Sequence, residues 1–153
     1  MTDEYYMREA LKEAEKAFRR DEVPVGAVIV ADNRIIARAH NLTETLNDVT
    51  AHAEMQAITA AAAYLGGKYL KECTLYVTLE PCIMCAGALY WAQITRIVYG
   101  ANDIKRGFTQ LPLLLVGSGS GHASLLHPTT TLTNGILETE CATMLTNFFK
   151  KKR

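Results

Sequence analysis

Nothing in this sequence is long and apolar enough to span a membrane. The longest apolar runs, around 57–65 and 111–116, fall far short of the roughly 20 residues a spanning helix needs. The opening residues, MTDEYYMREA, are polar and charged and lack the apolar core of a signal peptide. Neither sign of charge is in excess, with 16 basic residues against 16 acidic ones. A chain living mainly by phosphate contacts would be more basic overall, so any nucleic-acid partner must be met by a local patch. Cysteine is also sparse: four in 153 residues, at positions 73, 82, 85 and 141. Without an export signal these are expected in a reducing cytoplasm, where a close pair more often binds metal than forms a disulfide. The sequence shows no internal repeat, and nearly half its residues are apolar, enough to bury one core unaided. A single domain over 1–153 is expected.

What is present falls into alternating helices and strands. Apolar side chains at Tyr6, Met7, Ala10, Leu11, Ala14, Ala17 and Phe18 recur at helical spacing and predict a helix over 5–18. The stretch VPVGAVIVADNRIIARAH reads as two strands joined at Asp32-Asn33, residue types that tolerate hairpin turns. Residues 41–50 are polar and read as a loop, and the Ala-rich segment 51–64 as a helix stopped at Gly66-Gly67. Thr74–Leu79 alternates and reads as a strand, 82–92 as a helix, and Arg96–Tyr99 as a strand, paired in parallel across that helix. The apolar run and Gly/Ser segment at 111–124 read as a flexible surface loop. Thr129–Thr133 reads as a last strand. Leu137–Lys150 reads as an amphipathic helix through Leu137, Cys141, Leu145, Phe148 and Phe149.

Two fragments carry chemistry: His52-Ala53-Glu54 and Pro81-Cys82-Ile83-Met84-Cys85, each at the start of a helix. Zinc takes imidazole nitrogen and thiolate sulfur, and a catalytic site keeps three protein ligands with a fourth position open. His52, Cys82 and Cys85 supply those three. Two residues apart in mid-helix, His52 and Glu54 would point about 200° apart. They can serve one reaction only if the metal lies at the mouth of the helix. Glu54 then stands beside the metal as a proton carrier. A lone Cys-x-x-Cys could be a redox pair, but here a Pro precedes it and a His-x-Glu accompanies it. Together they form the known signature of zinc nucleobase deaminases. A structural zinc would need a fourth protein ligand, and no further Cys or His is placed for it. Cys73 and Cys141 read as core residues, and His40, His122 and His127 as loop or strand histidines.

Longer stretches sharpen the assignment. EVPVGAVIV (22–30), TAHAEMQAI (50–58), TLYVTLEPCIMCAGAL (74–89), RIVYGANDIKRG (96–107) and GILETECATMLTNFF (135–149) resemble the bacterial tRNA-specific adenosine deaminases over nearly the whole chain. The resemblance implies a three-layer α/β/α, cytidine deaminase-like fold around a five-stranded mixed sheet. It also implies one zinc ion per chain, a homodimer, and a tRNA anticodon stem-loop whose wobble adenosine becomes inosine. By position it makes Asn41 the residue that hydrogen-bonds the flipped base, Val25 a pocket-lining residue, and Asp103 a contact to the nucleotide sugar. Ala53 is counted with them as a substrate contact. Lys105, Arg106 and Phe149, with the basic tail Lys150–Arg153, are implied as RNA contacts. The segment 111–124 is longer and more apolar than the family's usual connection. Two other readings stay open. Free-base or nucleotide deaminases acting on guanine, cytosine or deoxycytidylate share both fragments, and ALYWAQ is similar to guanine deaminases. A zinc-stabilised RNA-binding subunit without activity would typically lack the carboxylate that Glu54 retains.

Overall fold

The Asp32-Asn33 hairpin begins the sheet. Both residues adopt left-handed backbone, φ 52° and 59°, the geometry of a two-residue turn that matches the twist of its flanking strands. The turn joins β1 (Gly26–Ala31) to β2 (Arg34–His40), paired antiparallel from Gly26↔His40 to Ala31↔Arg34 with an irregularity between Ile29 and Val30. Three more strands follow: β3 (Cys73–Leu79), β4 (Arg96–Ala101) and β5 (Thr131–Thr133). The sheet order is β2-β1-β3-β4-β5; β3 lies antiparallel to β1, while β3, β4 and β5 run parallel. This is the five-stranded mixed sheet that the resemblance implied. The computed structural model describes residues 1–110 and 125–153, so the loop expected at 111–124 lies outside the described residues.

Four helices cover the sheet among the described residues: α1 (Asp3–Arg19), α2 (Ala53–Leu65), α3 (Ile83–Ala92) and α4 (Glu138–Lys152). Successive side chains of a strand point to opposite faces, and the central strands feed both layers. Ala27 and Ile29 of β1, Leu75 and Val77 of β3, and Ile97 and Tyr99 of β4 join α2 and α3 in one core. Val28, Val30, Tyr76 and Val98 join Tyr6, Met7 and Ala10 of α1 and Cys141 of α4 in the other. The result is three layers. β3 is therefore buried on both faces, and its polar Thr78 is accommodated there because its hydroxyl accepts from the Gly26 amide at 3.1 Å.

Helix ends follow their sequence signals. Thr2 caps α1 by accepting from the Tyr5 amide at 3.1 Å, with Asp3 and Glu4 in the first turn where the helix dipole favours negative charge. α2 ends at Gly66, φ 72°. At the start of α4 the expectation needs correction: Leu137 lies outside the helix in left-handed backbone, φ 54°. Phe148 is buried against the ring of Phe18, centroids 5.9 Å apart, while Phe149 turns outward. Adjacent helical residues are about 100° apart, so the two phenylalanines could not share one face.

α1 sits hard on β1. A Cβ at Gly26 would lie 2.0 Å from the carbonyl oxygen of Ala10 and 2.3 Å from the amide nitrogen of Ala14, both backbone atoms. The start of α1 is also tied across the sheet. Asp3 accepts two hydrogen bonds of 2.8 Å from the Arg96 guanidinium and one of 2.8 Å from the Tyr76 hydroxyl.

Candidate functional site

α2 and α3 begin at the same corner of the molecule. His52 is the residue before the first turn of α2, in extended backbone at φ −70° and ψ 157°, so its ring is free of the helical direction followed by Glu54. Cys82 holds the equivalent position ahead of α3, φ −75° and ψ 175°, and Cys85 lies in the first turn behind it. Neither His52 nor Cys82 uses its side chain to cap its helix. Both are turned on one point instead. His52 Nδ1 lies 3.6 Å from Cys82 Sγ and 3.5 Å from Cys85 Sγ, and the three donor atoms fall within 4.8 Å of one another.

These separations provide a test of metal fit. With Zn–S near 2.3 Å and Zn–N near 2.05 Å, a tetrahedral ion places sulfur and nitrogen about 3.6 Å apart. The two measured N···S distances match that edge. Two soft sulfurs and one imidazole are also a donor set that suits zinc.

Charge around the corner is shared unevenly. The hydrogen bond from Cys85, followed by that from His52, brings Cys82 down to about 4, a thiolate at neutral pH. The same bond and burial push Cys85 up, and the Cys82 thiolate raises His52 above its ordinary value. Glu54, 4% exposed, lies in the first turn of α2 beside them. Burial raises its carboxyl to about 7, with the nearby Cys82 adding to the rise and His52 opposing it.

Above this corner opens a cavity of about 800 Å³. Its floor is His52, Ala53, Glu54 and Cys82; one wall carries Val23, Val25, Asn41 and Thr43; the other carries residues 102–106. Leu145, Phe149 and Arg153 of the C-terminal segment close the rim. The structure thus brings Val25, Asn41, Ala53, Asp103, Lys105, Arg106 and Phe149 to one cavity with His52, Glu54 and Cys82, while Cys85 is buried behind the floor. Asn41 is held by donating to the Val23 carbonyl and accepting from the Thr43 amide, both at 3.2 Å. An amide side chain in that arrangement keeps a second N–H and a second lone pair. The Asp103 carboxylate closes a turn by accepting from the amides of Lys105 at 3.2 Å and Arg106 at 3.0 Å.

Two buried glutamates were missed in the sequence. Glu22, 0% exposed, accepts from the amides of Glu44 and Thr45 and from the Thr45 hydroxyl at 2.9, 2.6 and 2.6 Å, clasping the loop that carries Asn41. Glu80, 2% exposed, clasps the opposite wall through Asp103 and Thr109. For Glu80 the one available signal was an acidic residue at the end of an apolar strand, which ordinarily marks only a strand reaching solvent; Glu22, between α1 and β1, gave none.

The cytidine and deoxycytidylate deaminase zinc-binding region matches residues 1–101. A tRNA-specific adenosine deaminase of Bacillus subtilis (strain 168) is 47% identical over 152 residues, covering 99% of this chain and 91% of that protein. A structure solved in work on A-to-I editing by tRNA:A34 deaminases at the wobble position of transfer RNA has a TM-score of 0.82 at 44% identity. It covers 92% of this chain and 99% of its own. A guanine deaminase structure from Bacillus subtilis has a TM-score of 0.64 at 42% identity, covering 67% of this chain and 66% of its own.

Proposed function

Since the chain belongs to the zinc-binding cytidine and deoxycytidylate deaminase family, within its tRNA-specific adenosine deaminases, we propose that it converts the wobble adenosine of a tRNA anticodon to inosine by hydrolysis. The reaction adds water across the amidine carbon of the purine and releases ammonia, a hydrolysis of a C–N bond in a cyclic amidine.

His52, Cys82 and Cys85 would hold the zinc. Bound there, it would supply the Lewis acidity that brings the ionisation of water to about pH 7. Glu54 takes one proton from the attacking water and gives it to the ring nitrogen, then takes that water's second proton from the new hydroxyl and gives it to the departing amino group, which leaves as ammonia. A carboxyl raised to about 7 suits both directions of transfer near neutral pH. Asn41 orients the base, Val25 and Ala53 shape its slot, and Asp103 meets the sugar. Lys105, Arg106 and the tail at Arg153 put cations on the lip of a chain with no net charge, where phosphates of a flanking backbone would pass.

The observation that carries this reading is the site as a whole: a zinc-sized His/Cys/Cys triangle and a buried carboxyl beneath a cavity far larger than one free base fills. The guanine deaminase likeness supports one other reading, deamination of a free purine. Anticodon stem-loop RNA, guanine, cytosine and deoxycytidylate offered side by side separate the two. Inosine is expected from the stem-loop; turnover of guanine alone would replace the RNA reading. A homodimer and a cytoplasmic location complete the proposal. The dimer is supported by large apolar side chains on the outer layer, with Trp91 76% exposed and Tyr64 and Ile83 also in solvent.

A further inference from the structure

The wall formed by residues 102–106 is held by Glu80, which lies just past β3 and two residues before Cys82. One oxygen of its carboxylate accepts from the Asp103 amide at 3.1 Å; the other accepts from the Thr109 amide at 3.0 Å and the Thr109 hydroxyl at 2.6 Å. Gly107 lies flat against the same group, where a Cβ would come within 2.1 Å of the carboxylate oxygen and 2.6 Å of the Asp103 carbonyl oxygen. Further ties run alongside: Phe108 donates to the Pro81 carbonyl at 2.9 Å, and Cys82 bridges to Gly107. No lysine, arginine or histidine pairs with Glu80 among the described residues.

A buried carboxylate without a cationic partner is costly, and an apolar side chain would avoid the desolvation of the charge. What Glu80 supplies is one rigid, planar group gripping both ends of a loop. Between those ends, Ile104, Lys105 and Arg106 form the lip of the cavity. We propose that Glu80 is a positioning residue for the substrate, fixing this lip relative to Cys82 so that the RNA strand meets preformed contacts. This rests on the RNA reading of the cavity. Loss of the clasp lets the lip move and weakens binding while leaving the ligands and Glu54 in place.

The test uses Glu80→Gln, whose amide meets an N–H donor on one side, and Thr109→Val, which deletes one hydroxyl. Steady-state kinetics on anticodon stem-loop RNA, zinc per chain and amide exchange are measured for both. KM is expected to rise about tenfold in Glu80→Gln and about threefold in Thr109→Val, with kcat within about twofold. Zinc content stays at the wild-type level. Exchange at 103–109 accelerates, while that at 53–57 does not. An unchanged KM, a fall in kcat at constant KM, or loss of zinc would overturn the positioning role. If Glu80→Gln fails to fold, Thr109→Val decides, since only one hydroxyl is lost. Wild-type protein that forms no inosine from the stem-loop refutes the substrate reading instead, and the exchange data then still decide whether Glu80 holds the loop.

Discussion

The role proposed for Glu54 depends on where the helix puts it. Two residues further along α2 it would point to the opposite face of the helix, and on an exposed surface its carboxyl would titrate near 4.3. Burial in the first turn raises it to about 7, the range the proposed proton shuttle needs near neutral pH. Glu54→Gln should keep the fold and the metal yet lower kcat by about 10²–10⁴-fold, the usual worth of a positioned acid–base group. Cys82→Ala should instead lower zinc content, measured by elemental analysis alongside the rate. Turnover surviving in Glu54→Gln, or full zinc in Cys82→Ala, would sink the respective role. Much of this corner was legible because its spacing is local: His52 and Glu54 are two residues apart, and Cys82 and Cys85 three. Glu22 and Glu80 were not, since their partners lie 22–23 and 23–29 residues away and nothing in a single position announces an acceptor.

At the scale of elements, the loop after β2 depends on Glu22 as the opposite wall depends on Glu80. Burial works to raise the Glu22 carboxyl, but the hydrogen bonds from Thr45 and from the Glu44 and Thr45 amides outweigh it and hold it below its ordinary value. A carboxyl lowered by folding adds stability above its unfolded pKa, about 4.3, and that stability disappears as pH falls through the still lower folded value. Amide exchange at Glu44 and Thr45, corrected for intrinsic rates, should therefore accelerate on acidification below about pH 4. In Glu22→Gln the dependence should flatten; an unchanged profile there would rule out this clasp as its source. The elements themselves were readable wherever turn chemistry or helical period spoke, as at Asp32-Asn33 and along α1. Sheet order was not, because β1 pairs with β3 across an intervening strand and helix. Leu137 and Phe149 were misplaced for a related reason: apolar character was counted where backbone direction decides.

The molecule as a whole divides its labour between two ends. α2 and α3 both start at the corner where His52, Cys82 and Cys85 meet and run away from it, so the groups proposed for the chemistry gather at their beginnings. Tyr64 and Leu65 near the end of α2, and Tyr90 and Trp91 near the end of α3, are left in solvent. Exposed aromatics gathered on one layer are suited to a partner copy. The mass in solution should be twice 16.9 kDa, and Trp91→Glu should shift it toward a single chain in light scattering. A wild-type mass of one chain would exclude the homodimer. No helix among the described residues is long and apolar enough to cross a membrane.

The seat of α1 on Gly26 has a further consequence. Val25, the next residue back, lines the cavity, and the strand beneath it has no clearance from the helix behind. Even one methyl group at 26 would wedge helix and strand apart and carry the cavity wall with it. The recess can thus be remodelled from above, through its two clasped loops, but never enlarged from below.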